Sequence, residues 1–389
     1  MKKLVAMLLV FTMSISLAAC GGNKSSESTS GESKANESTV GDTKAAEENT
    51  AASVENSGEP VSGGTVNIPI TDDPTTLQGW MLRNTNESAL APAIYETLLR
   101  YDETGKPQPF LLESFEGDPE ALTYTMVVRD GITFQDGTPL DAEAVKWNLD
   151  YYKENGVLTG SYFNYVESVE VVDDKTVVVH MSQWDALFDY GLARTCFICS
   201  PTAVESLGVD GFNEMPVGTG AFKVTKWVHG EGIYTEKYDQ YWQGTPYLDG
   251  VNFKIYASTA TQQAALEVGD LDIMNLTGDA ITADALKAKG YSMSNAAIPS
   301  TGYTLCFNSQ ADGPLKDLRV RQAIAYAVDT KAICDSLLGD GAYGTESTQW
   351  AISSSAEYNS EVTGYDYDVE KAKALLKEAG YDKGFELTI

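Results

Sequence analysis

Thr123-Tyr124-Thr125-Met126-Val127-Val128-Arg129, then Asp130-Gly131, then Asp141-Ala142-Glu143-Ala144-Val145-Lys146-Trp147-Asn148-Leu149: this stretch decides the class of the fold. Its first part, taken as Leu122–Arg129, is rich in β-branched and aromatic residues and reads as a strand. Asp141 is a helix-capping residue type, and Ala142–Lys153 behind it reads as a helix. The same alternation recurs outward. Thr65–Ile70 alternates like a strand. Val169–Val172 and Thr176–Met181 flank Asp173-Asp174-Lys175 as a hairpin, and Ala221–Val228 and Ile233–Tyr238 flank His229-Gly230-Glu231-Gly232 as a second. Thr259 is the predicted cap of a helix over Thr261–Val268, and Asp317 opens one through Val328. Asp368 caps another, whose Ala372, Leu375, Leu376 and Ala379 recur at helical spacing before Gly380 stops it. Short strands interleaved with helices, without internal repeat, give a mixed α/β architecture.

The chain begins differently. Lys2 and Lys3 precede the apolar stretch Leu4–Leu17, which is shorter than the roughly 20 residues of a spanning helix and has the layout of an export signal. It ends Leu17-Ala18-Ala19-Cys20, and a Cys directly after small residues resembles the lipobox of bacterial lipoproteins. There the thiol takes a diacylglyceryl group and becomes the new N-terminus. Residues 21–60 contain no aromatic residue and only Val40 and Val54 as large aliphatics, so they are expected to be a disordered acidic linker. Of the 39 aromatic residues, 38 follow residue 60, so the folded part is expected to start near Val61.

Charge and motif content exclude several functions. The chain has 389 residues, 27 basic and 56 acidic, for a net charge of -29. Such a surface repels nucleic-acid phosphates and anionic lipid headgroups, so no nucleic-acid partner is expected. Two His leave no basis for a His-rich metal centre. There is no nucleophile elbow, no His-Glu-x-x-His and no phosphate loop, so no enzyme and no cofactor is expected. His180 ends a strand and His229 lies in a turn, both as surface or edge residues. Cys196 and Cys199 have no second Cys pair to complete a zinc site and read as buried free thiols. Asp72-Asp73, Asp173-Asp174 and Asp270/Asp272 are close carboxylate pairs, two of them at turn-like positions where Asp serves the local backbone.

Above this background stands an ordered series of segments: Gly63-Gly64-Thr65-Val66-Asn67-Ile68, Asp73-Pro74-Thr75-Thr76-Leu77, and Ile94-Tyr95-Glu96-Thr97-Leu98-Leu99. Asp136-Gly137-Thr138-Pro139-Leu140, Gly218-Thr219-Gly220-Ala221-Phe222 and Tyr241-Trp242 follow. Ala265-Leu266-Glu267-Val268-Gly269-Asp270, Val320-Arg321-Gln322-Ala323-Ile324-Ala325-Tyr326-Ala327 and Glu370–Tyr381 complete it. In this order they resemble the oligopeptide/dipeptide/nickel family of solute-binding proteins that serve ABC importers, over residues 62–389. The resemblance implies a two-lobed periplasmic-binding-protein fold of type II with a hinge. Residues 61–99 and 213–300 would form the lobe I core, 100–212 an extra subdomain of lobe I, and 301–389 an incomplete lobe II. It departs from the family at Ala144 in the helix after Leu140 and at Ala221, both expected to touch packing only.

The implied function is capture of a short peptide, by closure of the lobes, and its delivery to the permease subunits of an importer by a monomer anchored outside the cytoplasm. Alternatives are a nickel chelate or other small solute in the same fold, a sensor lipoprotein that binds without delivering, and an extracellular hydrolase. Polar and aromatic loop residues suited to a peptide are Asn84, Thr85 and Asn86 before the first helix, and Tyr303 and Trp350 in lobe II. Phe385-Glu386-Leu387-Thr388-Ile389 alternates like the start of a strand, and chains of the resembled family continue well past it. The sequence is therefore expected to be part of a longer protein, with the acidic partner of a peptide's α-amino group beyond residue 389. Replacing Cys20→Ala is expected to move the protein from the membrane fraction to the soluble fraction; a wild-type protein wholly soluble outside the cell would remove the anchor.

Overall fold

The computed structural model describes residues 60–83, 85–157, 159–276, 278–294, 304–310, 312–339, 342–344, 346–349, 351 and 358–387. Chain order begins with strand β1 (Thr65–Ile70), helix α1 (Thr85–Ile94) and strands β2 (Leu99–Tyr101), β3 (Pro107–Pro109), β4 (Leu112–Asp118) and β5 (Thr123–Val128). Helix α2 (Ala142–Asn155), strands β6 (Val166–Val171) and β7 (Thr176–Met181), and helices α3 (Phe188–Arg194) and α4 (Pro201–Glu214) follow. Strands β8 (Phe222–Val228), β9 (Gly232–Lys237) and β10 (Gly250–Ile255) precede helices α5 (Thr259–Glu267), α6 (Ala280–Ala288), α7 (Leu318–Ala327), α8 (Thr330–Leu338) and α9 (Val369–Glu378).

The main sheet has the order β1-β10-β9-β8. β1 runs parallel to β10 in unbroken register from Thr65 opposite Gly250 to Ile70 opposite Ile255. The chain between them builds a second sheet of order β4-β5-β7-β6, antiparallel throughout. Its central strands alternate as the sequence does: Tyr124, Met126 and Val128 of β5 and Val177, Val179 and Met181 of β7 are buried. Helix α2 packs on β6 and β7 and buries Val145, Leu149 and Tyr152. Its cap is the predicted Asp141, whose carboxylate accepts from Ala144 N at 2.9 Å. In the β6–β7 turn Asp173 accepts from Lys175 N and Thr176 N, both at 2.9 Å.

Gln135 ties the passes of chain together. Its Nε2 donates to the carbonyls of Ile94, Gly220 and Phe222 at 2.9 to 3.0 Å, and its Oε1 accepts from Gly218 N at 3.1 Å. Gly218 and Gly220 lie directly on the end of α1. A Cβ at Gly218 would stand 2.3 Å from Ile94 O, and one at Gly220 2.6 Å from Ala93 O, so only glycine allows the approach. Nearby, the buried Glu96 carboxylate accepts from Tyr241 OH at 2.6 Å and Trp242 Nε1 at 2.8 Å. Burial holds this carboxyl above its ordinary range, and the tyrosine and tryptophan donors oppose that rise.

Three expectations need correction. The cap of α5 is Ser258, not Thr259: its hydroxyl and that of Thr261 form a reciprocal capping box, so the helix starts at Thr259, two residues earlier than Thr261. The helix opened by Asp317 ends at Ala327 because Asp329 caps a separate helix, α8. Phe385–Leu387 are not in a strand, and Thr388 and Ile389, the rest of that stretch, lie outside the described residues. The last helix is as read, with Asp368 capping at Lys371 N. It packs on α7, where Lys371 Nζ lies 4.1 Å above the Tyr326 ring. Among the described residues no helix is long and apolar enough to cross a membrane.

Replacing Gln135→Ala removes its donor from the carbonyls of Gly220 and Phe222, leaves Ile94 O with Gly220 N alone, and should destabilise the fold by roughly 2–4 kcal/mol. Urea unfolding followed by tryptophan fluorescence would show a lower midpoint with the slope preserved. An unchanged midpoint would mean that the clamp is dispensable.

Candidate functional site

In open α/β sheets, ligands bind outside the carboxyl ends of the strands. Here the carboxyl ends of the parallel pair β1 and β10 lie together, and the chain leaving β1 forms the loop 71–83 before α1. Backbone in a loop has no ladder to hold it, so side chains must fix its course. Three sets do so. Asp73 accepts from Trp227 Nε1 at 2.9 Å, Gly230 N at 3.0 Å and His229 Nδ1 at 3.2 Å, which fastens the loop to the β8–β9 turn. Asn213 of α4 accepts from Thr76 Oγ1 at 2.8 Å and Leu77 N at 3.0 Å. Tyr95 OH donates to Leu77 O at 2.6 Å from within the core.

A fourth anchor comes from α1 itself. Glu87, fully buried, accepts from Thr75 N at 3.1 Å and Thr75 Oγ1 at 2.6 Å with one oxygen, and from Arg83 N at 2.5 Å with the other. One carboxylate thus closes both ends of the loop onto the first turn of the helix. Charge-assisted bonds to two backbone amides offset the desolvation of the acid. Between loop and α4 lies an open hollow of about 400 Å³ lined by Thr75, Thr76, Gln78, Met81, Asp210, Asn213 and Glu214. On the other side, Asp270 accepts from Lys254 Nζ at 2.6 Å and from the Tyr256 hydroxyl.

Of the residues chosen from sequence, Thr85 and Asn86 open α1, directly behind the held loop. Asn84, Tyr303 and Trp350 lie outside the described residues, as does Cys20. The carboxylate pairs serve structure: Asp73 and Asp173 as above, and Asp272 by accepting from Asn67 N at 2.8 Å along the edge of β1. His180 meets Glu170 at 2.9 Å on the surface, and His229 sits between Asp73 and Glu214. Cys196 and Cys199 are free and fully buried, which pushes both thiols well above their ordinary range. Among the described residues no group of His, Cys, Asp and Glu could hold a metal ion. Glu87 and Asn213 were not anticipated. For Glu87 the signal existed, because Asn84-Thr85-Asn86-Glu87 has capping-box spacing; Asn213 is linked to the loop only through the fold.

Residues 106–389 match the bacterial extracellular solute-binding proteins, family 5. The chain belongs to that family. A relative named glutathione-binding protein GsiB, from Salmonella paratyphi A, is 31% identical over 320 residues, covering 81% of this chain and 61% of the relative. The family 5 chain thus spans about three-fifths of the length of the curated relatives it matches. Among solved structures, the oligopeptide-binding protein AppA of Bacillus subtilis, in complex with a nonapeptide, superposes with TM-score 0.67 at 26% identity. The match covers 82% of this chain and 65% of AppA. AgaA from A. tumefacien R10, in complex with agropinic acid, gives 0.67 at 29% identity, covering 83% and 65%. The fold is therefore the mixed α/β, two-lobed binding-protein architecture, and the relatives are binding proteins.

Replacing Glu87→Ala should release the loop without unfolding the sheets. Amide exchange at Thr75 and Arg83 is expected to accelerate by about tenfold to a hundredfold, the equivalent of losing a charge-assisted hydrogen bond. Unchanged protection at both amides would show that other contacts suffice.

Proposed function

We propose that this chain captures peptides outside the cytoplasm and delivers them to the permease of an ABC importer. Two lobes would enclose the ligand by hinge closure. Lobe I would consist of residues 61–99 and 213–300 with an extra subdomain at 100–212, and lobe II would begin at residue 301. Cys20 would carry the lipid anchor and residues 21–60 the tether, with a monomer working without catalysis or cofactor. The observation carrying this reading is the fixed loop 71–83, which sets the start of α1 at the carboxyl ends of β1 and β10. Main-chain recognition of a peptide needs such preset polar groups, while variable side chains need hydrated space. Asn84, Thr85 and Asn86 would meet the ligand from lobe I, Tyr303 and Trp350 from lobe II. Relatives and neighbours named for glutathione and oligopeptide binding support peptides as the solute class.

A second reading, a small non-peptide solute in the same cleft, is favoured by the likeness to AgaA, which was solved with agropinic acid. Native mass spectrometry of gently purified protein separates the two. A ladder of bound masses fitting short peptides is expected; a single non-peptide mass would replace the first reading by the second. Calorimetry should then give micromolar binding or better, about -8 kcal/mol, for peptides of the length observed.

A further inference from the structure

Helix α2 has two working faces. One buries Val145, Leu149 and Tyr152 against the second sheet. The other carries Glu143, Lys146, Trp147, Asp150, Tyr151 and Glu154, spaced at three and four residues so that they form one stripe along the helix. The stripe lines an open groove of about 430 Å³. Its floor is aromatic: the Trp147 and Tyr151 rings stack at 4.6 Å with an interplanar angle of 17°. Both are half-buried. Its rim is acidic, three carboxylates against one lysine, and that lysine is engaged, with Lys146 Nζ on Asp150 at 2.7 Å and on Val169 O at 2.8 Å. Glu143 and Glu154 are exposed and have no ion-pair partner among the described residues.

Elsewhere the protein covers aromatic faces with its own cations: Arg100 lies 4.6 Å above Phe110, and Lys371 4.1 Å above Tyr326. Among the described residues no cation covers Trp147 or Tyr151. A stacked indole and phenol with unneutralised carboxylates at either end favour a cation with an apolar stem, since tryptophan is the best cation–π acceptor and carboxylates select guanidinium.

The geometry points to the α2 groove as a docking surface for an arginine-bearing segment of a protein partner. The guanidinium lies over the Trp147 ring with its stem along Tyr151, and Glu143 or Glu154 meets the charge. This site is separate from the proposed solute cleft and stands whether or not the solute is a peptide.

The probe is a short peptide with two arginines, acetylated and amidated so that it offers no free terminus to a cleft that reads peptide ends. It is titrated into the full chain while the indole N–H resonance of Trp147, assigned with Trp147→Phe, is followed. The resonance should move saturably. The double variant E143Q/E154Q, which leaves the buried face of α2 and the aromatic rings intact, should weaken binding by about tenfold through loss of the charge-assisted guanidinium–carboxylate pair. The same peptide with citrulline in place of arginine should not bind. Absence of saturation at millimolar peptide would overturn the assignment. So would equal binding by the citrulline peptide or by the double variant, or displacement of the probe by a free-terminus peptide. If the probe binds while free peptides do not, the groove stands and the import reading fails.

Discussion

The parallel pairing of β1 with β10 is the constraint on which the rest depends. It joins Thr65–Ile70 to Gly250–Ile255, and parallel neighbours cannot be closed by a tight hairpin. The entropy of closing so long a segment grows only logarithmically with length, so the insertion is tolerable if it folds on itself. It does: sheet β4-β5-β7-β6 is antiparallel and made of near neighbours in sequence, and its buried aromatics, including Phe134, Phe163 and Phe188, join one core continuous with that of the main sheet. Gln135 then binds the inserted part to the chain before it, at Ile94, and after it, at Gly220 and Phe222. The carboxyl ends of β1 and β10 are thereby held as a fixed edge from which loop 71–83 departs.

Strands β1 and β5, both hairpins (β6–β7 and β8–β9) and the caps at Asp141, Asp317 and Asp368 were legible because their signals are local: alternation, turn residues and a side chain bonding its own helix; β2, β3, β4 and β10 were not read. The cap of α5 was misplaced by one residue because Ser258 and Thr259 are chemically alike, and only the backbone decides which stands outside the helix. The segments carrying the family resemblance proved to be largely scaffold. Glu96 answers Tyr241 and Trp242, Gly218 and Gly220 lie on Ile94 and Ala93, and Asp136 receives the Ser200 hydroxyl at 2.6 Å. They report the fold strongly and the ligand hardly at all. Binding residues are commonly carried by loops, where polar side chains follow no period, and what joins Asn213 to Thr76 is tertiary structure.

Two buried carboxylates illustrate different solutions to one cost. Glu87 takes two backbone amides and a hydroxyl, so its charge is met by groups whose positions the loop needs fixed. Glu96 takes side-chain donors from Tyr241 and Trp242, and burial still raises its carboxyl above the ordinary range. A raised acid favours the folded state most at low pH, and that contribution is lost as pH rises from the unfolded toward the folded value. What Glu96 does in the fold is geometric: it pins the 241–243 segment beside the end of α1.

The same packing relates the α2 groove to the loop. Tyr151 meets Trp80 edge-on at 4.8 Å, and Trp80 stacks on Phe212 at 5.4 Å. Trp80 belongs to loop 71–83, and Phe212 precedes Asn213, which holds Thr76 and Leu77. The aromatic column beginning at Trp147 therefore backs the loop that sets the start of α1. Cores packed to crystal-like density do not deform continuously, so an occupant of the groove could act on the loop only by selecting between discrete arrangements of this column. Any such influence would be limited by the occupant's difference in affinity for those arrangements, and would be returned in equal measure by a ligand at the loop. With the Trp80 ring held between Tyr151 and Phe212 and Glu87 closing the loop, the column's first contribution is rigidity: it keeps the loop's polar groups in place before any ligand arrives.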